Sequence, residues 1–189
     1  MTRGPSVQAE MVRLRPIEPR DTDRMWESVQ DPDTMRQTGR TRVFERQEID
    51  SWCAEVSDMP GRFDWAITPG AIRDGEPVSD EMIGEITLDK IDEDVRSANI
   101  HMLMLPNYRG RGYGSEAIYQ VLKFAFSPEG ADLHRVGLDV LAINPRAVML
   151  YESLGFREEG RLRDAYRDGD GWCDGIVMSI LSEEFDAME

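Results

Sequence analysis

The sequence predicts a single α/β domain on a mixed sheet with antiparallel strands at both ends, and three observations lead there. Apolar residues alternate with polar ones at Phe63, Trp65 and Ile67 and again over residues 82–91 and 98–105, the period of half-buried strands. Beyond them the pattern becomes helix, strand, helix, with helical spacing over residues 115–126 and 145–154 around a strand at 135–142. No repeat, low-complexity tract or linker divides the 189 residues, a length usual for one domain.

The elements follow in order. Residues 11–15 alternate and end at Pro16, which predicts a first strand, and a helix capped near Asp21 carries Met25, Trp26 and Val29. Phe44, Ile49, Trp52, Cys53 and Val56 recur at helical spacing until Pro60-Gly61 stops them. Residues 69–81, rich in Gly, Pro, Ser and Asp, predict a mobile hairpin loop, and residues 92–96 a tighter connection. Strands near 156–162 and 172–180 close the chain.

Composition narrows the function classes. A hydrophobic content of 40% with four Trp and six Phe is enough for a core. No run reaches the ~18 uncharged apolar residues of a membrane helix, and residues 1–10 lack the apolar centre of a secretory signal, so a cytoplasmic protein without membrane contact is expected. Cys53 and Cys173 are too few and too far apart for a disulfide framework or a CxxC metal site; both are expected reduced, with no metal. A formal charge of −15 argues against nucleic acid as a partner. Residues 45–94 hold 15 acidic and 4 basic residues, whereas residues 105–167 hold 8 acidic and 9 basic. An acidic region beside one that tolerates an anion suits a cationic partner; simple solubility is the alternative reading.

The segment from Ala98 to Phe126 carries the chemistry. An apolar strand is followed by Pro106-Asn107-Tyr108-Arg109-Gly110-Arg111-Gly112-Tyr113-Gly114 and then by an amphipathic helix starting Ser115-Glu116-Ala117. Alternate glycines let a backbone approach a ligand closely, and a helix N-terminus attracts phosphate through its free N–H groups and dipole. Rival anion loops fail on spacing. A P-loop needs Lys before Ser, but Gly114 precedes Ser115 directly, and a dinucleotide fingerprint needs GxGxxG where this chain has GxGxG. An RGG-type RNA segment would not lie between two periodic apolar elements.

The spacing of Arg109, Gly112 and Gly114 resembles the pyrophosphate-binding motif of the GNAT superfamily of N-acetyltransferases. A second block, Asn144-Pro145-Arg146-Ala147-Val148-Met149-Leu150-Tyr151-Glu152-Ser153-Leu154-Gly155-Phe156, is similar to that family's Asn-x-x-Ala-x-x-Leu-Tyr-x-x-x-Gly-Phe pattern. Asn144 as N-cap, Pro145 at the first helical position and Gly155 past the helix end also make structural sense of it. The ending Asp170-Gly171-Trp172-Cys173-Asp174 looks like the hairpin of the RimJ/RimL branch and is equally an ordinary turn with a packed Trp.

The resemblance implies a GNAT-like fold over residues 1–189, with a central parallel splayed strand pair and helices on both faces. It implies acetyl-CoA as cosubstrate, held by Arg109, Gly110, Arg111, Gly112, Tyr113, Gly114, Ser115 and Asn144, with the strand at Leu103, Met104 and Leu105 offering an N–H to the acetyl oxygen. Tyr151 resembles the general acid that protonates the departing thiolate, unless its hydroxyl only anchors the core. The family's usual glutamate is replaced by Asn99, so the base is open among Asp139, Glu85 and His101, in that order, with bulk water as a further acceptor of the proton. The implied partner is a small amine or peptide N-terminus, cationic if the acidic region lies over the acceptor, and a homodimer is compatible with the reading. A non-catalytic acyl-CoA-binding or regulatory domain is the alternative from another class, and an interaction protein that binds no nucleotide is a third.

Overall fold

In the computed structural model, which describes residues 3–188, the alternating segments form strands and the periodic ones helices. The order is β1 (Val7–Gln8), β2 (Val12–Pro16), α1 (Thr22–Gln30), α2 (Pro32–Gln37), α3 (Arg46–Glu55), β3 (Phe63–Pro69), β4 (Ile72–Arg73), β5 (Glu76–Pro77), β6 (Gly84–Asp92) and β7 (Ser97–Met104). There follow α4 (Tyr113–Phe126), β8 (Arg135–Leu141), α5 (Pro145–Ser153), β9 (Arg157–Asp168), β10 (Gly171–Leu181) and α6 (Ser182–Asp186). None of the helices among the described residues is long and apolar enough to cross a membrane.

Eight strands share one sheet in the order β1-β2-β3-β6-β7-β8-β10-β9, and β4 pairs with β5 apart from it. All neighbours in the large sheet are antiparallel except β7 and β8. That parallel pair is short, running from Ser97↔Arg135 to Asn99↔Gly137. Past it each strand keeps its outer partner, β7 with β6 as far as Gly84↔Met104 and β8 with β10 as far as Leu141↔Gly175. The two therefore diverge, and the sheet is split in its middle.

Alternation along the strands sends side chains to two cores, one on each face. On one face Val12, Leu14, Trp65, Ile86 and Ile100 pack with α4, Tyr151 of α5 and Phe185 of α6. On the other, Ala66 and Met82 meet Met25, Val29, Ile49 and Cys53 from α1 and α3. Burying roughly 25 cal/mol per Å2 of apolar surface on both faces holds the two halves of the split sheet in one unit.

Three departures from the sequence expectation have local causes. Helix α2 is capped by Asp31, whose side chain accepts from the Thr34 N–H, with Pro32 at the first position; six residues are too few to show a period. The 69–81 loop contains a small hairpin turned by Asp74 and Gly75, both at positive φ (53° and 84°). Its end is pinned rather than loose, because Asp80 takes ion pairs from Arg13, Arg15 and Arg20. Strand β9 runs six residues past the expected end although most of its side chains are exposed, since pairing with β10 and not burial makes it a strand.

Candidate active site

Backbone groups line the split. His134 and Arg135 donate to the Arg96 carbonyl, and Leu105 donates to Ile83 at 3.0 Å, so even-numbered residues of β7 face β8 and odd-numbered ones face β6. Beyond Asn99 the even-numbered positions lose their partner strand. Met102 and Met104 thus present their N–H groups to the gap. The Leu103 and Leu105 N–H groups, expected to share this duty, face β6 instead, that of Leu105 bonded to the Ile83 carbonyl.

The glycine loop closes one end. Gly110 and Gly112 adopt φ of +70° and +89°, a region where a Cβ is strained, and Gly112 is the N-cap of α4. A Cβ at Gly112 would lie 3.0 Å from the Met11 Cε, and one at Gly114 would lie 2.9 Å from the Met102 Cε. The first amide of this stretch with a partner is that of Glu116, bonded to the Gly112 carbonyl at 3.1 Å. Among the described residues, the N–H groups of residues 110–115 have no acceptor. Six consecutive free donors at the start of a 14-residue helix form an anion cradle. Glu116, the acid of this first turn, is turned outward to accept 2.7 Å bonds from the Met11 and Val12 amides, which fixes the helix start to β2.

A cleft of about 670 Å3 runs from this cradle along the split. Of the residues singled out in the sequence, Leu103, Met104, Arg109, Gly110, Gly112, Gly114, Ser115, Glu85, Asp139, Asn144 and Tyr151 line it. Leu105, Arg111 and Tyr113 do not. Arg111 is exposed, and the Tyr113 ring packs at 6.5 Å from Tyr108, so these two residues offer the cleft backbone only.

The Arg109 side chain has a structural use. Its Nε donates to the Met104 carbonyl at 2.9 Å and its guanidinium also donates to the Thr34 hydroxyl at 2.6 Å. Arg109 therefore ties the loop to the end of β7 and to α2. Thr34, Gln37, Thr38 and Arg40 consequently line the cleft, a wall the sequence reading missed. The Asp31-Pro32 pair, an N-cap followed by Pro, was the available signal for it.

The titratable candidates divide by environment. Tyr151 is buried at 7% exposure, its ring edge-on to Phe156 at 5.5 Å, and burial pushes its phenol up to about 12. It stays protonated at any working pH, as a proton donor must. Asn144 caps α5 by accepting from the Ala147 N–H at 3.2 Å. Asp139 is exposed on the splayed part of β8 and makes no ion pair among the described residues. Glu85 is buried and held by Arg40 at 3.1 Å, so the second base candidate is committed to an internal pair. His101 is half-exposed, 3.1 Å from Asp89. Burial works against the Asp89 charge, but His101, Arg62 and Lys90 hold that carboxyl below the usual carboxylate range. Both cysteines are free and buried, and burial raises the Cys53 thiol to about 11, which removes it as a nucleophile.

A split parallel pair with free amides on one side and a glycine-capped helix start on the other defines a site for an extended ligand ending in phosphate. The chain belongs to the acetyltransferase (GNAT) domain family, whose model matches residues 12–157. It is 32% identical over 110 residues to the spermidine N(1)-acetyltransferase of Vibrio cholerae, a match spanning 58% of this chain and 62% of that protein. It is 24% identical over 185 residues to the uncharacterized N-acetyltransferase p20 of Bacillus licheniformis, across 95% and 98% of the two chains. The crystal structure of spermidine N-acetyltransferase from Vibrio cholerae in complex with CoA and spermine shares the fold, with a TM-score of 0.80 and 24% identity over 93% of this chain and 98% of that one.

Proposed function

We propose that this chain, as one domain over residues 1–189, is a RimJ/RimL-like N-acetyltransferase that moves the acetyl group of acetyl-CoA directly onto a primary amine. The observation that carries the proposal is the alignment of two sets of free donors along one cleft. The amides of residues 110–115 suit a pyrophosphate, and the N–H groups of Met102 and Met104 suit an extended amide-bearing arm paired like an added strand. The hairpin turned at Gly169-Asp170, which leads into Gly171 and Trp172 of β10, supports the branch, and two unpaired cysteines fit a reducing cytoplasm.

The chemistry follows from what lines the cleft. The amine attacks the thioester carbonyl, and the tetrahedral oxyanion accepts from the Met104 N–H, the donor at the end of β7. The C–S bond then breaks and Tyr151 gives its proton to the leaving sulfur. A phenol near 12 is a weaker acid than an alkyl thiol at ~8.5. The same desolvation that raises the phenol also penalises a bare thiolate in the cleft, which narrows that gap. The acceptor arrives as an ammonium, and Asp139 is the unpaired carboxylate beside its path. It holds the cation, takes the proton from nitrogen and releases it to bulk water; the transfer is uphill by the several pKa units between an amine and a carboxylate, so only a small free-amine fraction attacks at a time.

The test is turnover of acetyl-CoA with N-terminal peptides, polyamines and amino sugars, reading free thiol and acetylated amine together. The proposal predicts equal amounts of both with at least one amine class. Tight CoA binding without turnover on any amine would leave a binding or regulatory domain, the reading that Asn99 in place of the usual acid favours.

A further inference from the structure

On the sheet face that carries α1 and α3, a second cavity of about 410 Å3 opens beside the cleft. Arg40, Glu85 and His101 line both spaces, so the chamber and the cleft are neighbours with these three side chains between them. The volume is within the ~300–1,000 Å3 usual for small-molecule sites.

The chamber is apolar below and lined by bonded charged groups above. Met25 and Val29 of α1, Ile49 and Trp52 of α3, and Phe44 ahead of α3 supply its apolar wall. Phe44 and Trp52 are half-exposed, whereas Met25, Val29 and Ile49 are buried. Its cations Arg40, Arg42 and Arg62 equal its carboxylates Glu48, Glu85 and Asp89 in number. Glu85 pairs with Arg40 at 3.1 Å, Glu48 with Arg42, and Asp89 with His101 at 3.1 Å, while Arg62 is bidentate on Asp64 at 2.7 Å. The Arg42 guanidinium also lies 5.1 Å over the Phe44 ring.

Of the three carboxylates from residues 45–94 that line the chamber, Glu48 and Glu85 are therefore each already paired with an arginine. A second ammonium entering the chamber would find one carboxylate without an arginine, Asp89, and that one is already bonded to the His101 ring; taking Glu85 would strand the Arg40 charge. An apolar group would instead cover the half-exposed faces of Phe44 and Trp52 and disturb no pair.

We propose that this chamber receives the side group of the acceptor, and that the preferred acceptor is a primary amine bearing a bulky aliphatic or aromatic group next to its amine-bearing carbon. An arylalkylamine and a peptide N-terminus with a large apolar first residue share this chemistry. The inference rests on the acetyl-transfer reading.

The experiment compares kcat/KM for L-phenylalaninamide, phenethylamine, a Phe-initiated peptide, a Ser-initiated peptide, glycinamide and spermidine in the wild-type protein and in Phe44→Ala. The expected result is a preference of about 10²-fold or more for the apolar amines over glycinamide and spermidine, shrinking about tenfold in Phe44→Ala. Phenethylamine against the Phe-initiated peptide tells the free amine from the N-terminus. Spermidine used as well as phenylalaninamide, or glycinamide used as well as either, overturns the chamber assignment and leaves acetyl transfer intact. No acetylation of any amine overturns both. The wild-type comparison decides the matter even if Phe44→Ala folds poorly.

Discussion

Arg109 donates from Nε to the carbonyl oxygen of Met104 at 2.9 Å, across the turn that joins β7 to the glycine loop. The bond occupies the Met104 carbonyl and leaves its N–H facing the gap. One arginine thereby sets the distance between the pyrophosphate cradle and the proposed oxyanion donor. Arg109→Lys should raise the KM for acetyl-CoA about 10-fold or more and lower stability by ~1–3 kcal/mol, because an ammonium cannot reproduce the fork to Met104 and Thr34. Urea unfolding and a KM determination check the two parts; wild-type values for both would remove Arg109 from this role.

Tyr151→Phe should lower kcat by about 10²–10⁴-fold and leave the KM for acetyl-CoA within a factor of a few. The ring and its edge-on contact with Phe156 survive the change. With the phenol pushed up to about 12, the wild-type rate should show no fall assignable to Tyr151 below about pH 11. A variant that binds poorly but turns over normally would make Tyr151 a core anchor.

Asp139→Asn should reduce kcat/KM on the order of 10²-fold at neutral pH. The deficit should shrink as the pH approaches the amine's own pKa, where free amine exists without help. A deficit constant across pH would mean that Asp139 only positions the acceptor.

Asp80 predicts an acid-dependent stability. Burial opposes its charge, but Arg15, Arg20 and Arg13 hold its carboxyl below the usual range. A depressed folded-state pKa gives stabilisation that is present above the ordinary unfolded value of ~3.9 and is lost as pH falls through the folded value. Asp80→Asn should thus cost ~1–3 kcal/mol near neutral pH, and the gap to wild type should close in acid. Urea titrations at several pH values check this; a constant gap would assign the loss to packing.

Much of this was legible in the chain. Phe63, Trp65 and Ile67 announce β3 because their period of two puts all three on the face that joins the larger core, and the Asn144 to Phe156 block marks a capped helix and its tyrosine together. What stayed hidden depends on distant partners. Nothing local reveals that Arg109 reaches Met104 and Thr34, that Glu85 is consumed by Arg40, or that Asp80 is gathered by three arginines. Charge counted along the chain likewise cannot tell free carboxylates from paired ones, since Glu85 meets Arg40 and Asp80 meets Arg13 only in the fold. The β9 extension escaped because its pairing with β10 replaces the burial that a pattern can detect.

The central claim is direct transfer between two substrates held in one cleft, with no acetyl group resting on the protein. Initial rates measured with acetyl-CoA and the amine varied together test it most directly. Direct transfer predicts reciprocal plots that intersect, because both substrates must be bound before either product leaves. Parallel lines, with acetylated protein isolated in the absence of amine, would contradict it.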